Sequence, residues 1–363
     1  MSEASMGQVD SDVAAAASEL LGCGIERVTQ LGGEFDRTYH LKAEDGRRFI
    51  AKTVPDNEVE RAQVRWQHDL LDRCGPVPNL PTPSVMRDPS GSDTATLSLG
   101  ADPWLLSCYS WLPGRIVGEM PSHTADLLAA WGRAAGHMVV ALEGMTPGPE
   151  IRTTHEWDLL AAPQAIATHF DAVADDEGRR SVETVLQWFD DIVAPRIADL
   201  PRSVVHQDLN DHNVLAEVDS SGVQRLTGVI DFTDALLTAR VSEVAIAGGY
   251  AMLRKPDPMA ALATVLDGFG EVVELTELEV SVLYPMAALR LALNGVLWAS
   301  RNAAQHGSYG WKRSQHTWAT LGQLVALDPR EVVETLLSHR DAPDRPITGM
   351  TDGPDAAALR TVH

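Results

Sequence analysis

The sequence predicts an α+β fold in two lobes, a β-rich N-terminal lobe and a mainly helical C-terminal lobe. Three observations predict it. The chain has 363 residues, of which 44% are hydrophobic, and this is enough for two lobes that each have a core. Apolar and β-branched runs separated by turn signals occupy residues 28–111. Most of the chain after residue 112 carries apolar residues at helical spacing.

Composition limits the partners and the compartment. The formal net charge of −22 argues against nucleic acid and anionic membranes, because binding to either depends on Lys and Arg that neutralise phosphates. The same charge favours a cationic partner. Cys23, Cys74 and Cys108 form no CxxC motif, so we expect no disulfide framework and a reducing, cytoplasmic location. The sequence shows no signal peptide and no uninterrupted apolar run of about eighteen residues, so a soluble, unanchored protein is expected.

The N-terminal lobe is predicted to span residues 13–111, after a flexible segment at residues 1–12. A short helix is expected from Val13 to Leu21. Paired strands follow between Val28 and Val54, with a turn at residues 44–46. A capped helix carries apolar residues at helical spacing from Val59 to Leu70, and a further hairpin is predicted from Val85 to Ser98. The last apolar strand begins at Trp104 and stops at a Pro-Gly pair.

The C-terminal lobe is predicted to span residues 112–340, followed by a disordered tail at residues 341–363. Helical stretches are predicted from His123 to Leu142, from Trp157, from Ser181 to Leu200, from Val241 to Leu253, from Leu275 to His306 and from Trp318 to Leu337. Arg290 and Arg301 lie on otherwise apolar helix faces. Such arginines are expected to pair with buried carboxylates, and a role in substrate binding is the alternative.

A polar loop between two apolar runs carries the chemistry. It contains His206, Asp208 and Asn213 in the pattern His-x-Asp-x-x-x-x-Asn, and a later apolar run ends at Asp231. Transfer of a γ-phosphoryl group needs a carboxylate near the attacking hydroxyl and oxygen ligands for magnesium. Asp208 would be the carboxylate, and Asn213 and Asp231 would supply the metal ligands. The alternative is an ordinary surface loop of turn-forming residues.

The chain between the two motifs predicts how they meet. Residues 214–218 and 223–230 are rich in aliphatic and β-branched residues, and Asp219-Ser220-Ser221-Gly222 separates them as a turn signal. A hairpin would therefore return Asp231 to the level of Asn213.

These motifs resemble the aminoglycoside phosphotransferase and choline kinase superfamily, whose fold is protein-kinase-like. Residues 206–215 and 230–234 carry the resemblance. Within the superfamily the sequence is most similar to the hydroxylysine kinase branch, in this loop and in residues 239–247. Two departures are visible: Gln207 stands where the family usually has Gly, and Glu243 where it often has Asp.

The resemblance implies further nucleotide-binding residues. Lys52 matches the lysine that contacts the nucleotide phosphates, although a lysine that protects an edge strand is the alternative. Glu60 would pair with Lys52, and Glu58 or Gln63 could hold that position instead. The remaining candidates are Gly32 and Gly33 over the phosphates, and Ser107 and Tyr109 in the segment that contacts the purine.

The expected function is transfer of the γ-phosphoryl group of ATP or GTP, with Mg²⁺, to a hydroxyl of a small cationic amino alcohol such as hydroxylysine. Asp211 and Asp234 have no evident metal or base role, so they are candidates to meet the acceptor's ammonium group, or else they cap loops. Aminoglycoside, choline and homoserine-type kinases are alternatives, and an inactive nucleotide-binding module is another. The donor, the acceptor and the oligomeric state stay open.

Overall fold

The computed structural model describes residues 3–31, 37–100, 102–301 and 307–341, and the chain divides into two compact units. The first unit comprises Met1–Gly114 together with two later segments, Pro147–Arg152 and Thr227–Thr233. The second unit contains the rest of the chain. The first segment of the second unit begins within a few residues of the boundary that the sequence predicted after residue 111. No sequence pattern indicated the two later segments of the first unit.

The first unit is built on a five-stranded antiparallel sheet in the order β1-β2-β3-β5-β4. Its elements are α1 (Glu3–Leu21), β1 (Ile25–Gln30), β2 (Arg37–Ala43), β3 (Arg48–Pro55), α2 (Glu58–Cys74), β4 (Ala95–Leu99) and β5 (Asp102–Ser110). Helix α1 packs on one face of the sheet, where its side chains join a buried cluster with those of β2, β3 and β5.

Strand β3 shows how this sheet presents Lys52. Phe49, Ala51 and Thr53 are buried, whereas Lys52 between them is only partly buried. Because successive side chains of a strand point to opposite faces, Lys52 lies on the face opposite the core. The register pairs Lys52 with Ser107 of β5.

Two predictions for this unit need correction. Helix α1 begins at Glu3, ten residues before the predicted helix start. The predicted Val85–Ser98 hairpin is wrong, because its two halves do not pair with each other. Val85 forms a bridge with Tyr109 and β4 pairs with residues 102–106, so both halves lie along β5.

The remaining elements are mostly helical. They are β6 (Arg115–Ile116), α3 (Ala125–Ala141), α4 (Ala162–His169), α5 (Asp176–Trp188), β7 (Arg202–Val205), β8 (Val214–Val218), β9 (Gln224–Val229), β10 (Leu236–Ala239), α6 (Val241–Ala251), α7 (Pro258–Gly270), α8 (Glu277–Ser300), α9 (Tyr309–Ser314), α10 (Thr317–Val325) and α11 (Pro329–Asp341). Strands β8 and β9 are neighbours in a three-stranded sheet, which confirms the hairpin predicted between the two motifs.

Helix α8 is the central helix of the second unit. It begins at a capping box formed by Thr276 and Glu279, and it is apolar nearly all round. By length and composition alone it could cross a membrane, and it is the single such helix among the residues described. Yet 94% of its most apolar window is buried inside the protein, as in a core helix. The cytoplasmic location stays a prediction.

The helix predictions agree with the structure in part. Helices α3, α6 and α8 fall within predicted stretches and α4 lies in the stretch predicted from Trp157, whereas α7 and α9 were missed. Helix α7 is apolar around most of its circumference, so it shows little periodicity for a pattern to detect. The predicted tail falls almost entirely on residues 342–363, which lie outside the described residues.

Candidate active site

The polar loop at residues 206–213 connects β7 to β8 and is held by its own hydrogen bonds. The backbone N–H of Asn210 donates to the carbonyl of Asp208 at 2.7 Å, and that of Asn213 donates to the carbonyl of Asn210 at 3.1 Å. The Asn210 side-chain oxygen accepts from the backbone N–H of His212 at 2.8 Å. The loop therefore has a fixed shape, as expected for a segment that positions reacting groups.

The Asp208 carboxylate accepts three side-chain hydrogen bonds. Oδ1 accepts from Asn210 Nδ2 at 2.7 Å and from Arg290 Nη2, and Oδ2 accepts from Asn213 Nδ2 at 2.7 Å. An ionised carboxylate offers about four acceptor positions, so room for one more donor remains. Since Asp208 keeps 18% of its side chain exposed, a hydroxyl group can reach it.

Arg290 of α8 is the counter-ion of Asp208. Its side chain is 1% exposed, its Nη1 donates to the Trp157 carbonyl at 2.9 Å, and its guanidinium lies over the Trp157 ring. The sequence predicted a buried carboxylate partner for this arginine, and the partner is the candidate catalytic aspartate. Arg301, in contrast, pairs with the half-exposed Glu156. The cation beside Asp208 fixes the orientation of its carboxylate.

Gln207 and Glu243, the two departures from the family pattern, lie against each other. Gln207 has φ = +66°, a left-handed conformation that glycine adopts without strain, which explains why the family usually has Gly there. Its backbone N–H donates to Glu243 Oε2 at 3.3 Å. Glu243 is fully buried, and its Oε1 has no hydrogen-bond partner within the described residues. Burial, reinforced by the charge of Asp208, raises the pKa of the Glu243 carboxyl to about 8.

The protonation of Glu243 predicts a pH dependence. In the unfolded chain this group loses its proton near its ordinary pKa of 4.5, whereas the folded protein retains the proton up to about pH 8. Its contribution to stability is therefore full below about pH 4.5 and is lost as the pH rises through about 8. We expect the unfolding free energy of the parent to fall, relative to that of Glu243→Gln, between about pH 5 and pH 9.

Urea denaturation of both proteins across this range measures the difference. Glu217→Gln, at an exposed position of β8, is the matched control and should follow the parent at every pH. A constant offset between Glu243→Gln and the parent would show that Glu243 does not change protonation in this range.

In the first unit, Lys52 pairs with Asp231. Lys52 Nζ lies 2.6 Å from Asp231 Oδ1 and 3.2 Å from Thr233 Oγ1, and Thr233 Oγ1 donates to Asp231 Oδ1 at 2.6 Å. Asp231 has φ = +68°, an uncommon conformation for a residue other than glycine. Strained backbone of this kind often occurs at functional sites.

The pocket around Lys52 brings together most of the predicted nucleotide-binding residues. Its lining includes Lys52, Glu60, Ser107, Tyr109, Arg152 and Thr233. Of the three candidates for the helix partner of Lys52, Glu58 is exposed, and Gln63 lies against Glu150 and Arg152. Glu60 alone of the three lines the pocket, but the ion pair that Lys52 forms is with Asp231. Gly32 and Gly33 lie outside the described residues.

The two candidate acceptor-binding carboxylates differ in their surroundings. Asp211 is buried and has Arg254 Nη2 3.9 Å from its Oδ2. Asp211 therefore already has a cationic partner, and its role in acceptor binding stays a prediction. Asp234 is partly buried, and its backbone carbonyl accepts from His155 Nε2 at 3.0 Å. Asp234 also lies in the electrostatic field of Arg290.

The side-chain nitrogen of Asn213 is held by Asp208. It donates to the backbone carbonyl of Asp208 at 2.9 Å and to the Asp208 carboxylate at 2.7 Å, so the amide oxygen points away from both. Magnesium in kinases is held by few protein oxygens together with phosphates and water. Asn213 and Asp231 each carry an oxygen of the kind that magnesium prefers, and their role as its ligands stays a prediction.

Comparison with known proteins identifies the family. The model of the phosphotransferase enzyme family matches residues 27–280, which is well over half of the chain. The chain belongs to this family. The resemblance that the catalytic loop predicted is confirmed, and the chain is an enzyme that phosphorylates a hydroxyl group.

Curated relatives of this phosphotransferase include two kinds of amino-acid kinase. Hydroxylysine kinase of Bos taurus is 28% identical, over 89% of this chain and 92% of the relative. Homoserine kinase of Zymomonas mobilis is 30% identical, over 85% of this chain and 87% of the relative. Among solved structures, amicoumacin kinase hAmiN has a TM-score of 0.65 and is 17% identical in sequence. The match covers 91% of this chain and 99% of the amicoumacin kinase chain. This likeness confirms the protein-kinase-like fold.

Sequence reasoning missed several residues of the phosphotransferase site. Asn210 and Thr233 were quoted within the motifs without a role, although both donate to the motif aspartates. Arg152 lies in a proline- and glycine-rich stretch that carried no signal, and it reaches the Lys52 pocket. A donor two residues after each motif aspartate is the pattern that could have identified Asn210 and Thr233.

Proposed function

We propose that this enzyme is a small-molecule kinase that transfers the γ-phosphoryl group of ATP or GTP to the hydroxyl of a small amine-bearing acceptor. The Asp208 carboxylate carries the proposal, since Asn210, Asn213 and Arg290 hold it in one orientation with room for one more donor. A nucleotide-binding module without catalysis would not require such a group.

Each candidate residue then has a role. Asp208 orients the acceptor hydroxyl and accepts its proton as the oxygen bonds to the γ-phosphorus, while the bond from that phosphorus to the departing nucleoside diphosphate breaks. Lys52 offsets the charge of the nucleotide phosphates from its position in β3. Asn213 and Asp231 would hold Mg²⁺, which supplies neutralisation of the triphosphate charge when bound. Glu60, Ser107 and Tyr109 line the pocket beside Lys52 and would contact the nucleotide.

The acceptor that we propose is a hydroxy-amine of the hydroxylysine or homoserine kind. Support comes from the curated relatives, which are named for these two compounds. The acidic surface predicted from the sequence supports an acceptor with an ammonium group, and Asp234 is the remaining candidate to meet it. Aminoglycosides and choline are the alternative acceptors.

A screen of acceptors with each nucleotide tests the proposal. Hydroxylysine, homoserine, choline, an aminoglycoside and a neutral sugar would each be incubated with ATP or GTP and Mg²⁺, and phosphorylated product would be detected by mass spectrometry. We expect product with at least one hydroxy-amine. Preference for the neutral sugar would refute the acceptor class while leaving the kinase intact. Nucleotide binding without transfer to any acceptor would indicate the inactive module.

A further inference from the structure

Three basic side chains gather beside the catalytic loop in this otherwise acidic protein. Arg254 and Lys255 follow α6, and Arg313 lies near the end of α9. We call these three residues the basic cluster. The cluster meets the catalytic loop at Asp211, which lies three residues after Asp208 and forms an ion pair with Arg254. All of these residues belong to the second unit.

Arg254 is fixed in place by its neighbours. Its Nη1 donates to the Met120 carbonyl at 2.9 Å, and its Nη2 lies 3.9 Å from Asp211 Oδ2. Its backbone has φ = +62°, an uncommon conformation that places Lys255 alongside. The Nε of Arg254 is buried and has no hydrogen-bond partner in the part of the chain that the structure describes. A donor buried in this way is costly unless a ligand satisfies it.

His123 borders the cluster without adding positive charge. Lys255 Nζ lies 2.8 Å from His123 Nδ1, and the Val117 carbonyl accepts from His123 Nε2 at 2.9 Å. Burial and the neighbouring cations lower the pKa of His123 to about 4. Burial also lowers the pKa of Lys255 to about 8, so Lys255 is mostly protonated at pH 7.

The basic cluster has three cations and one ion pair among the described residues. That pair joins Arg254 to Asp211, whose Oδ2 lies 3.9 Å from Arg254 Nη2. Arg313 forms no ion pair with a described residue, and its guanidinium lies 5.8 Å from the Tyr309 ring centroid. Partly buried cations in excess are unfavourable unless an anion joins them. The basic cluster therefore has the character of an anion site.

The cluster adjoins the reacting group rather than lying elsewhere on the protein. Tyr250 lies beside the reacting group, because its ring centroid is 5.7 Å from the guanidinium of Arg290, the counter-ion of Asp208. Its hydroxyl donates to Asn294 Oδ1 at 3.1 Å, and Asn294 Nδ2 donates to the Arg313 carbonyl at 3.2 Å. A small molecule whose hydroxyl reaches Asp208 could therefore place an anionic group on the cluster.

We propose that the basic cluster binds the carboxylate of a hydroxy-amino-acid acceptor while the acceptor's hydroxyl meets Asp208. The inference rests on the proposed function and deepens it, because it restricts the acceptors to zwitterions. Arginine is well suited to the role, since its planar guanidinium matches a carboxylate with two parallel hydrogen bonds.

Matched acceptors with and without the carboxylate test the inference on the parent enzyme. Homoserine would be compared with 3-aminopropan-1-ol, and hydroxylysine with 1,5-diaminopentan-2-ol. Each of these two amino alcohols differs from its amino acid only by loss of the carboxyl group. A hydrogen bond to a charged group corresponds to roughly 10- to 100-fold in affinity. We expect kcat/KM to fall by about that factor for the analogue of the accepted substrate. Equal kcat/KM within the pair would overturn the inference.

The variant Arg313→Gln tests whether the basic cluster is the part of the protein that binds the acceptor's carboxylate. We expect KM for the amino acid to rise about 10- to 100-fold, with little change for the analogue that lacks the carboxylate and none for the nucleotide. Arg225→Gln, at an exposed arginine of β9, is the matched control. An equal rise in KM for both acceptors would show that Arg313 has only a structural role. A higher KM for the nucleotide would show that the cluster binds a phosphate group. Either result overturns the inference.

Calorimetric binding of the amino acid separates this inference from the proposed function. If the amino acid binds the parent and not Arg313→Gln, yet no phosphate is transferred, the carboxylate site stands and the kinase proposal falls. If phosphate is transferred and Arg313→Gln behaves as the parent does, the kinase stands and the carboxylate site falls.

Discussion

Replacement of Asp208 by asparagine should lower turnover by about 10²–10⁴-fold while nucleotide affinity changes little. Asparagine keeps the shape of the side chain but cannot accept the proton of the acceptor hydroxyl. It also cannot accept from Asn210, Asn213 and Arg290 together, because one of its two terminal atoms is a donor. The hydroxyl would therefore lose both its proton acceptor and its fixed orientation.

The contact with Arg290 adds a second expected result. Arg290 is 1% exposed, so Asp208→Asn leaves a buried guanidinium without its counter-charge. Removal of one partner of a buried ion pair typically costs about 3–5 kcal/mol. Since Asp208 itself is partly exposed, we expect a loss of stability at or below the lower end of that range. Denaturant unfolding measures it.

A double variant separates catalysis from stability. Methionine in place of Arg290 removes the buried charge, so Asp208→Asn with Arg290→Met should recover much of the stability that Asp208→Asn loses, without recovering turnover. The exposed Asp102→Asn serves as the matched control for both measurements. Near-normal turnover in a folded Asp208→Asn protein would contradict the role of Asp208.

Local spacing explains what could be predicted from the sequence. Asp208 and Asn213 are five positions apart in one loop, and the structure joins their side chains directly at 2.7 Å. The hairpin of β8 and β9 was predictable because its two apolar runs and its Asp-Ser-Ser-Gly turn are contiguous. For the same reason the strand that carries Lys52 was predictable. Such features depend on residues that are near neighbours in the chain.

Contacts between distant residues explain what could not be predicted. Arg290 was recognised as an arginine that needs a carboxylate, but the choice of Asp208, 82 residues earlier, depends on how α8 packs. Lys52 forms an ion pair with Asp231 across 179 residues, which no local pattern indicated. Asp211 looked uncommitted because Arg254 lies 43 residues further along the chain. In each case the charge was readable from the sequence and the partner was not.

Replacement of Asp231 should abolish measurable turnover and remove the dependence of nucleotide binding on Mg²⁺. Asparagine is the sharper substitution, because Asn tolerates the left-handed backbone of Asp231. Alanine there would add strain of about 1–2 kcal/mol. Without the carboxylate, the metal would lose a charged ligand and the triphosphate charge would go uncompensated.

Because Asp231 also pairs with Lys52, its replacement should change nucleotide affinity in opposite directions with and without Mg²⁺. In Mg²⁺-free buffer, Asp231→Asn should bind nucleotide at least as tightly as the parent. The variant lacks a carboxylate that repels the phosphates, and the charge of Lys52 is no longer offset by that carboxylate. With Mg²⁺ present it should bind more weakly than the parent. Calorimetric titration with nucleotide measures both changes in affinity. It would use the parent, Asp231→Asn and the control Asp102→Asn, each with and without Mg²⁺. If Asp231→Asn shows the same Mg²⁺ enhancement as the parent, Asp231 is not a metal ligand, and its pairing with Lys52 would be structural.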